Sequence, residues 1–247
     1  MKTEDLAIQS YCFRKITSNA DVAGNVRALG LSKIELCACH ADFTDENIVD
    51  DVIKTYRDAG VEIVSIGVQS FRNEKDKEET YFRFAQQAGA RVISADFPPD
   101  TVPDNLRTAE ALADKYNINL GIHNHGGRHW LGPAQALRKL FGETSPRIGL
   151  MLDTAWALDC REDPLKMVDA FADRLYGLHV KDFVFDRAGK PEDVVVGTGN
   201  LDVPALFSAL ADMNFAGPVI LEYEGDPDDP MPALRKCMDT LHRTLDG

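Results

Sequence analysis

The sequence predicts an α/β protein folded as a single (β/α)8 TIM barrel, and three observations support this prediction. Eight short apolar runs rich in β-branched residues recur along the 247 residues, and consecutive runs begin 27 to 30 residues apart, except for a final step of 42. This spacing accommodates one strand, one crossover helix and two loops. The stretches between the runs carry helical patterns, several of which end in glycine before the next run. Eight such units over about 250 residues are typical of this barrel.

Each element is predicted from its own local pattern. The strands are short apolar segments bounded by polar or turn-forming residues. Their first residues are, in chain order, Leu6, Lys33, Val61, Arg91, Asn119, Ile148, Tyr176 and Pro218. A helix is predicted from residue 45 to residue 58, where apolar residues recur at helical spacing ahead of a stop at Gly60. The same criteria predict helices over residues 78–88, 105–116, 133–141, 164–171, 204–213 and 234–245.

A doubly wound open sheet is the alternative arrangement for alternating strands and helices. That fold usually carries a glycine-rich phosphate-binding turn after its first strand, and residues 10–14 contain no glycine. No linker, charge block or low-complexity segment divides the chain, and the acidic segment over residues 226–230 is interpreted as a rigid loop. We therefore expect residues 1–247 to form one barrel domain.

Charge and composition restrict the classes of partner. The chain has 40 acidic and 27 basic side chains, which give a formal net charge of −13. A surface this acidic repels phosphate backbones and anionic lipid headgroups, so we expect neither nucleic acid nor a membrane as a partner. The N-terminus lacks the apolar run of a secretory signal, and five cysteines do not suggest a disulfide framework, so the expected location is cytoplasmic. A small-molecule substrate is expected, and a homo-oligomer is left open.

Polar residues follow the last four predicted strands, at the end of a barrel where catalytic side chains collect. Histidine and carboxylate ligands from neighbouring strands suit a divalent cation with five or six ligands. Mn²⁺ is the first expectation for that cation, with Zn²⁺, Co²⁺ and Mg²⁺ as alternatives. The expected metal ligands are His123, Asp153, His179 and Glu222, with His125 as an alternative to His123.

Further residues are placed to act on a substrate or to support the site. Lys181 alternates with His179 along the seventh strand, so we expect it to point inward with a lowered pKa and to polarise a carbonyl or transfer a proton. Glu35 lies between two apolar residues in the second strand and is expected to support the site from behind. The expected substrate contacts are Arg14, His125, Trp156 and Glu224.

Two motifs are interpreted as structural. Cys37-Ala-Cys39-His40 suggests a zinc knuckle, but no second cysteine pair lies at a suitable spacing, so small buried thiols are expected there. Gly197-Thr-Gly199 lacks the third glycine of a nucleotide-binding turn. It is interpreted as a turn whose Asp202 caps the following helix ahead of Pro204.

Six segments together resemble a known superfamily. In their order and spacing they are similar to the xylose-isomerase-like TIM barrels, the sugar phosphate isomerases and epimerases, and the resemblance covers nearly the whole chain. The segments are Gln9-Ser-Tyr-Cys-Phe-Arg14, Ile122-His-Asn-His-Gly126, Leu152-Asp-Thr154, Leu178-His-Val-Lys-Asp182, Gly197-Thr-Gly199 and Leu221-Glu-Tyr-Glu224.

The resemblance implies a metal site. In the ketose 3-epimerases of this superfamily, Glu, Asp, His and Glu from strands five to eight hold the metal. By position, Asp153, His179 and Glu222 take three of these places, and His123 stands where those epimerases have glutamate. Their two glutamates also exchange the substrate proton, so His123 departs from a symmetric pair of bases. A neutral imidazole nevertheless binds metals and acts as a base near pH 7.

The leading hypothesis is therefore a metal-dependent isomerase or epimerase of a sugar, sugar phosphate or keto-sugar. It would remove a proton next to a carbonyl and pass through an enediolate, with Glu222 or His123 as the base and Lys181 stabilising the negative charge. The alternatives are a lyase of the same superfamily, either similar to inosose dehydratase or cleaving a C-glycoside, and a non-catalytic binding protein. An abasic-site endonuclease is disfavoured by the acidic charge and by too few histidines for three zinc ions.

Overall fold

The chain closes into a parallel barrel of eight strands, as the sequence predicts. A computed structural model describes residues 1–246. The strands are β1 (Ala7–Gln9), β2 (Lys33–Leu36), β3 (Glu62–Ser70), β4 (Val92–Asp96), β5 (Asn119–His123), β6 (Ile148–Asp153), β7 (Leu175–Val180), β8 (Asp182–Phe185), β9 (Pro191–Val194) and β10 (Val219–Leu221). Strands β1 to β7 pair in sequence order, β7 pairs with β10, and β10 closes the barrel against β1.

Helices connect the barrel strands. They are α1 (Asn19–Ala28), α2 (Val49–Asp58), α3 (Lys75–Ala88), α4 (Asp104–Tyr116), α5 (Ala134–Glu143), α6 (Thr154–Asp159), α7 (Pro164–Ala170), α8 (Val203–Asp212) and α9 (Met231–Leu245). Helices α1 and α6 are additional to the helices predicted from the sequence. Over residues 1–246, none of these helices combines the length and the apolar character that crossing a membrane requires.

Three predicted helix starts are wrong by three or four residues, those of α2, α3 and α9, and local hydrogen bonds explain the first two. Helix α2 begins later than residue 45 because the Asp42 and Asp45 side chains accept hydrogen bonds from backbone amides two residues on, which stabilises turns instead of helix. Helix α3 begins before residue 78 because Glu78 Oε1 accepts hydrogen bonds from the amides of Arg72 and Glu74, and so satisfies backbone groups at the helix start.

The barrel core is closely packed and fixes the ends of the strands. All six residues of β6 are buried, and apolar side chains of the strands and helices form one large buried cluster. Each fully buried Leu, Ile or Val contributes about 1.5–3 kcal/mol of transfer free energy. Side chains at the strand ends are therefore carried on a rigid support.

Strand register brings polar residues together at the carboxyl edge of the barrel. Asp153 ends β6 and lies opposite His179 of β7, and His123 ends β5. Glu222 directly follows β10, where its backbone amide donates to the Val180 carbonyl. The polar ends of four neighbouring strands thus share one edge.

An antiparallel hairpin of β8 and β9 accounts for the long final step in the strand spacing. The Asp182 carboxylate ties this hairpin to the next turn by accepting four backbone hydrogen bonds of 2.8–2.9 Å, from Gly197, Gly199, Asn200 and Leu201. The predicted cap of the following helix is confirmed, because Asp202 Oδ1 accepts a 3.0 Å hydrogen bond from the Ala205 amide.

Candidate metal centre and active site

Four buried side chains meet at the carboxyl end of the barrel. His123, Asp153, His179 and Glu222 each offer a ligand atom, and these atoms all lie within 4.8 Å of one another. His123 Nε2 is 3.5 Å from Asp153 Oδ2 and 3.9 Å from Glu222 Oε2. His179 Nδ1 is 2.7 Å from Glu222 Oε2 and 3.1 Å from His123 Nε2. We call this group the four-residue cluster.

Glu35 supports the cluster from behind His179. His179 Nε2 lies 2.9 Å from Glu35 Oε1, and both side chains are fully buried. Glu35 itself accepts hydrogen bonds from Gln9 Nε2 at 2.6 Å and Ser94 Oγ at 2.7 Å. Glu35 thus places a negative charge beside Nε2 of His179, and the other ring nitrogen, Nδ1, faces the cluster. A carboxylate behind an imidazole ligand is a common arrangement around protein-bound metals.

Asp153 is held by the start of the next helix. Its Oδ1 accepts a 2.8 Å hydrogen bond from the Trp156 amide and caps α6. The Asn124 side chain fixes the Asp153 backbone by accepting from its amide at 2.8 Å and donating to its carbonyl at 3.0 Å. Asp153 Oδ2 is buried without a hydrogen-bond partner and faces His123. An unpaired buried carboxylate oxygen is uncommon, and a bound cation would satisfy it.

Charge within the cluster is strongly coupled. Burial opposes ionisation of Glu222, but Lys181 and His179 outweigh it and hold the Glu222 pKa well below its usual range. Burial favours a neutral His179, yet Glu35 and Glu222 raise the pKa of this histidine to about 10. Burial raises the pKa of Asp153, with Lys181 and His123 acting in the opposite direction. Glu222 is thus an ionised carboxylate at neutral pH.

Lys181 does not have the lowered pKa that the sequence analysis expected. Its side chain is only 1% exposed, and burial does favour the neutral amine. The carboxylates of Glu222, Asp153, Glu224 and Asp193 outweigh burial and raise the Lys181 pKa. The ammonium donates to Glu224 Oε1, and it lies 3.7 Å from Asp193 Oδ2 and 5.3 Å from the centre of the Trp156 ring. The expectation was wrong because it left out the attraction of neighbouring carboxylates, including Glu222 and Glu224 after the last strand and Asp193 on the hairpin.

The cluster opens into a cavity of about 400 Å³ at the mouth of the barrel. His123 and Glu222 reach its wall, which ties the cluster to a space of small-molecule size. We call this space the inner cavity. A hollow of about 630 Å³ at the opposite end lies among residues near the strand starts and includes none of the cluster. The inner cavity is lined by Gln9, Tyr11, Cys37, Ala38, Cys39, Gly67, Val68, His123, His125, Trp156, Glu222 and Glu224.

Three of the four expected substrate contacts line the inner cavity: His125, Trp156 and Glu224. His125 stands outside the four-residue cluster, although its ring centre is 4.7 Å from that of His123. Burial lowers the pKa of His125 to about 3, assisted by His123 and His129. A Cβ at Gly126 would come within 2.7 Å of the Trp156 ring, so glycine allows the loop to pack against this indole.

Arg14, the fourth expected contact, is not among the residues that line the inner cavity. Its guanidinium donates to the backbone carbonyls of Tyr11 and Glu224. It therefore ties the segment after β1 to the segment after β10.

Some polar residues around the cavity are not among the expected site residues. A shallower outer depression of about 650 Å³ adjoins the inner cavity and shares Val68, His125 and Trp156 with it. In this outer depression, Asp96 Oδ1 lies 3.1 Å from His129 Nε2. The expected site residues were found by a strand-end rule, which looks for polar residues where a predicted strand ends. Asp96 ends β4, so applying this rule to the fourth strand would have found it. Asp193 lies on the hairpin, outside any strand-end pattern.

A family model of the xylose isomerase-like TIM barrel matches residues 24–243. The chain belongs to this family. Among curated proteins, this xylose isomerase-like barrel is 27% identical over 143 residues to the inosose dehydratase of Geobacillus kaustophilus, a match that covers 52% of this chain and 46% of that protein. The chain thus spans about half the length of the curated relatives that it matches.

Solved structures show the same barrel. The 3-keto-D-glucoside 4-epimerase YcjR of E. coli is 16% identical, with a TM-score of 0.74 and coverage of 97% of this chain and 99% of that one. A xylose isomerase-like TIM barrel protein of Mycobacterium smegmatis, solved in complex with magnesium, is 14% identical, with a TM-score of 0.76 and coverage of 97% and 96%. At these identities the likeness shows the fold alone.

The donor set of this xylose isomerase-like barrel fits a divalent cation. Two imidazoles and two carboxylates suit cations that accept both nitrogen and oxygen ligands. The unpaired Asp153 Oδ2 and the Glu35 contact behind His179 are independent signs of such a site. The cluster could therefore hold a metal ion.

Proposed function

We propose that this barrel is a metal-dependent isomerase or epimerase that moves a proton on the carbon beside the carbonyl of a sugar or keto-sugar. The observation that carries this proposal is the four-residue cluster opening into the inner cavity through Glu222. His123, Asp153, His179 and Glu222 would hold the cation, with Mn²⁺ as the first choice for mixed nitrogen and oxygen ligands. When bound, the cation would polarise the substrate carbonyl and acidify the adjacent C–H bond.

Glu222 is assigned as the base that removes the proton. It is ionised, it lines the cavity, and its contact with His179 fixes its orientation. His123 is assigned as a metal ligand that can release the cation to act as the second acid–base group, because its Nε2 has one lone pair and cannot bind a cation and a proton at once. It also lines the cavity, with its Nε2 3.9 Å from Glu222 Oε2, so both groups can reach one substrate.

Lys181 is assigned a positioning role. It lies behind Glu224, which lines the cavity, and its ammonium holds that carboxylate in place. Its buried positive charge also favours an enediolate over a neutral ketone, because a fixed charge in a dry environment stabilises a developing anion.

The cavity favours a substrate without a phosphate group. Within the described residues, the lining of the inner cavity includes no lysine or arginine, and Arg128 lines only the outer depression. Arg14 and Lys181 are engaged with backbone carbonyls and carboxylates, respectively. Glu224 and His125 offer hydrogen bonds to hydroxyl groups, and Trp156 offers an apolar face for a sugar ring. An uncharged keto-sugar suits this lining better than a sugar phosphate.

Solvent exchange tests this function. The Mn²⁺-loaded protein, incubated in deuterium oxide with a panel of neutral keto-sugars, inososes and sugar phosphates, is expected to incorporate deuterium beside the carbonyl of a neutral member. Glu222→Gln should abolish this exchange, whereas Glu143→Gln, on the exposed end of α5, should leave it unchanged. Mass spectrometry measures the label.

Two results would contradict the proposal. One is the absence of label throughout the panel at full metal loading. The other is product formed in deuterium oxide with no label at carbon, which would indicate an intramolecular hydride shift and remove the role of Glu222 as a base.

A dehydratase is the second candidate. The similarity to inosose dehydratases over about half of the chain favours it. Loss of a hydroxyl group from the carbon beyond the same enediolate would release water and leave a carbon–carbon double bond. A product lighter than its substrate by one water molecule, with the ultraviolet absorption of an unsaturated ketone, would support the dehydratase over the isomerase.

A further inference from the structure

A second group of metal-ligating side chains lies on the loop that follows β2. His40 Nδ1 is 3.2 Å from Cys39 Sγ and 3.9 Å from Cys37 Sγ, and the three ligand atoms lie within 4.8 Å of one another. Both cysteines line the inner cavity, and none of the three residues belongs to the four-residue cluster. The expected burial of both thiols holds for Cys37 but is wrong for Cys39, which is exposed.

Hydrogen bonds from three directions hold this loop. The Cys37 amide donates to Ser10 Oγ at 2.8 Å, and the His40 amide donates to the Cys37 carbonyl at 3.1 Å to close a turn. Asn19 Nδ2 donates to the His40 carbonyl at 2.9 Å. The three side chains are therefore presented together by a fixed backbone, which lowers the entropy cost of binding a ligand.

The contact behind His40 determines which ring nitrogen is free. His40 Nε2 lies 2.9 Å from the Ile16 carbonyl oxygen. A carbonyl oxygen only accepts hydrogen bonds, so Nε2 carries the hydrogen, and in the neutral ring the lone pair is on Nδ1. This lone pair faces the sulfurs. Metal-binding histidines commonly donate their other ring N–H to a backbone carbonyl in this way.

The sulfurs of Cys37 and Cys39 are in direct contact, and a disulfide between them is the competing explanation. The two Cα atoms are 5.5 Å apart, a separation that a disulfide also allows. A disulfide has no hydrogen to donate, so it would leave the Nδ1 lone pair without a partner in a largely buried ring. A cation bound by both sulfurs and by Nδ1 would satisfy all three atoms.

We propose that Cys37, Cys39 and His40 form a second metal site, which binds a thiophilic divalent cation of the Zn²⁺ class on the wall of the inner cavity. Binding one Zn²⁺ releases one proton from each thiol, so two thiolates and a neutral imidazole leave the complex without net charge. Zinc usually takes four ligands in a tetrahedron, and three protein ligands leave one position for water or a substrate atom. This site differs from a zinc knuckle, whose four positions are all filled by the protein.

Cobalt titration under anaerobic, reducing conditions tests the second site. Co²⁺ takes the place of Zn²⁺, and thiolate ligands give it a charge-transfer absorption that imidazole and carboxylate ligands do not. The full chain is expected to develop this absorption with a stoichiometry of one, and Zn²⁺ should abolish it by competition. Cys37→Ser and Cys39→Ser should each remove most of it, and His40→Gln should weaken cobalt affinity at least tenfold.

Two controls separate this site from the rest of the protein. Cys160→Ser changes a partly buried thiol outside the group and should leave the absorption unchanged. His179→Gln disrupts the four-residue cluster and should also leave it unchanged, so failure of the proposed enzymatic function does not affect this result. Circular dichroism of each variant establishes that the barrel is folded.

Several results would overturn the proposal. A fully reduced protein with no thiolate-to-cobalt absorption would do so, as would an absorption that survives in the folded double variant Cys37→Ser/Cys39→Ser. Thiol titration gives a third test, because five reactive thiols are expected after denaturation without reductant and without air, one for each cysteine of the chain. A count of three, with Cys37 and Cys39 joined, would establish the disulfide instead.

Discussion

At the scale of single residues, His123 occupies an unusual position. It is a buried imidazole in the four-residue cluster, and it also reaches the wall of the inner cavity. Its Nε2 lies between Asp153 Oδ2 and Glu222 Oε2, at 3.5 Å and 3.9 Å. An imidazole there can bind a cation and can also return a proton, and these two roles are separable by experiment.

His123→Gln is expected to separate metal binding from proton return. Metal affinity should fall, and at saturating metal Glu222 should still exchange the substrate proton from one face. Net epimerisation should remain at least about 100-fold lower, since loss of a general acid–base group costs about 10²–10⁴ in rate. Isothermal titration gives metal occupancy, and deuterium exchange and product formation are followed on the same samples.

Recovery of full net turnover in excess metal would contradict the acid–base role of His123 and leave it as a ligand only. His242→Gln is the matched control, because this histidine lies on α9, away from the residues that line the cavity.

Lys181→Met is expected to destabilise the protein strongly. The change removes a buried ammonium and leaves the carboxylates of Glu224 and Asp193 without their partner. Breaking a buried ion pair costs about 3–5 kcal/mol. Lys181 is therefore expected to stabilise the fold as well as to hold Glu224 in place. Chemical denaturation measures the free energy of unfolding.

A surface pair supplies the control for Lys181. Lys54 and Asp58 form an exposed ion pair on α2, so Lys54→Met should cost no more than about 1 kcal/mol. Equal effects of the two substitutions would contradict the importance assigned to the buried charges.

The strand-end rule predicted the four members of the cluster because it needs only the local pattern of a strand and the known geometry of a barrel. The same rule could not predict Asp193 among the carboxylates around Lys181. Asp193 comes from a hairpin and not from the end of a barrel strand. Such long-range pairing depends on tertiary structure, which a local pattern does not encode.

At the scale of elements, the hairpin of β8 and β9 depends on one carboxylate. Asp182 accepts hydrogen bonds from four backbone amides, of which the Asn200 amide also donates to the Phe183 carbonyl. Asp182→Asn keeps the shape of the side chain but replaces one carboxylate oxygen with an amide NH2 group. This group donates hydrogen bonds and cannot accept them. We expect a loss of about 2–4 kcal/mol, since hydrogen bonds to a charged group contribute about 1.5–3 kcal/mol each.

Hydrogen exchange locates the effect of Asp182→Asn. The amides of Gly197 and Leu201 should exchange faster in the variant. Asp186→Asn is the control, because Asp186 accepts hydrogen bonds at the exposed tip of the same hairpin. If only the tip substitution accelerates exchange at these amides, Asp182 does not hold the turn.

The hairpin and two helices were the elements that the sequence did not reveal. Strands β8 and β9 are partly exposed and mixed in polarity, so they lack the apolar run that marks a barrel strand. Helix α6 has six residues, which is shorter than two turns, and its cap is the metal-site candidate Asp153. Helix α1 mixes alanine, glycine and asparagine with few large apolar residues, so its helical period is weak.

At the scale of the whole molecule, stability is expected to depend on pH through Asp193. Burial raises the pKa of this carboxyl to about 7 from an ordinary value of 3.8. Between about pH 4 and pH 7, the Asp193 carboxyl of the folded protein holds a proton that the same carboxyl of the unfolded chain has released. Rising pH therefore favours the unfolded chain, by up to about 1.4 kcal/mol per pH unit for one proton.

Asp193→Asn removes this titration. In the parent protein the Glu224 backbone amide donates to Asp193 Oδ2, and asparagine keeps an oxygen that can accept this hydrogen bond. The free energy of unfolding of the variant relative to the parent should rise from pH 4 to pH 7 and level off above it. Denaturant unfolding at each pH measures the difference. A difference that does not change with pH would contradict the raised pKa.

The closure of the barrel has a consequence for synthesis on the ribosome. Strand β1 emerges first, but one of its two neighbours, β10, emerges last among the strands. A nascent chain that has reached β7 therefore carries an open sheet with two unpaired edges, which are targets for chaperones and for aggregation. It also lacks Glu222, the residue directly after β10. Truncated translation products cannot complete the four-residue cluster, so capture of a cation there would distinguish finished chains from interrupted ones.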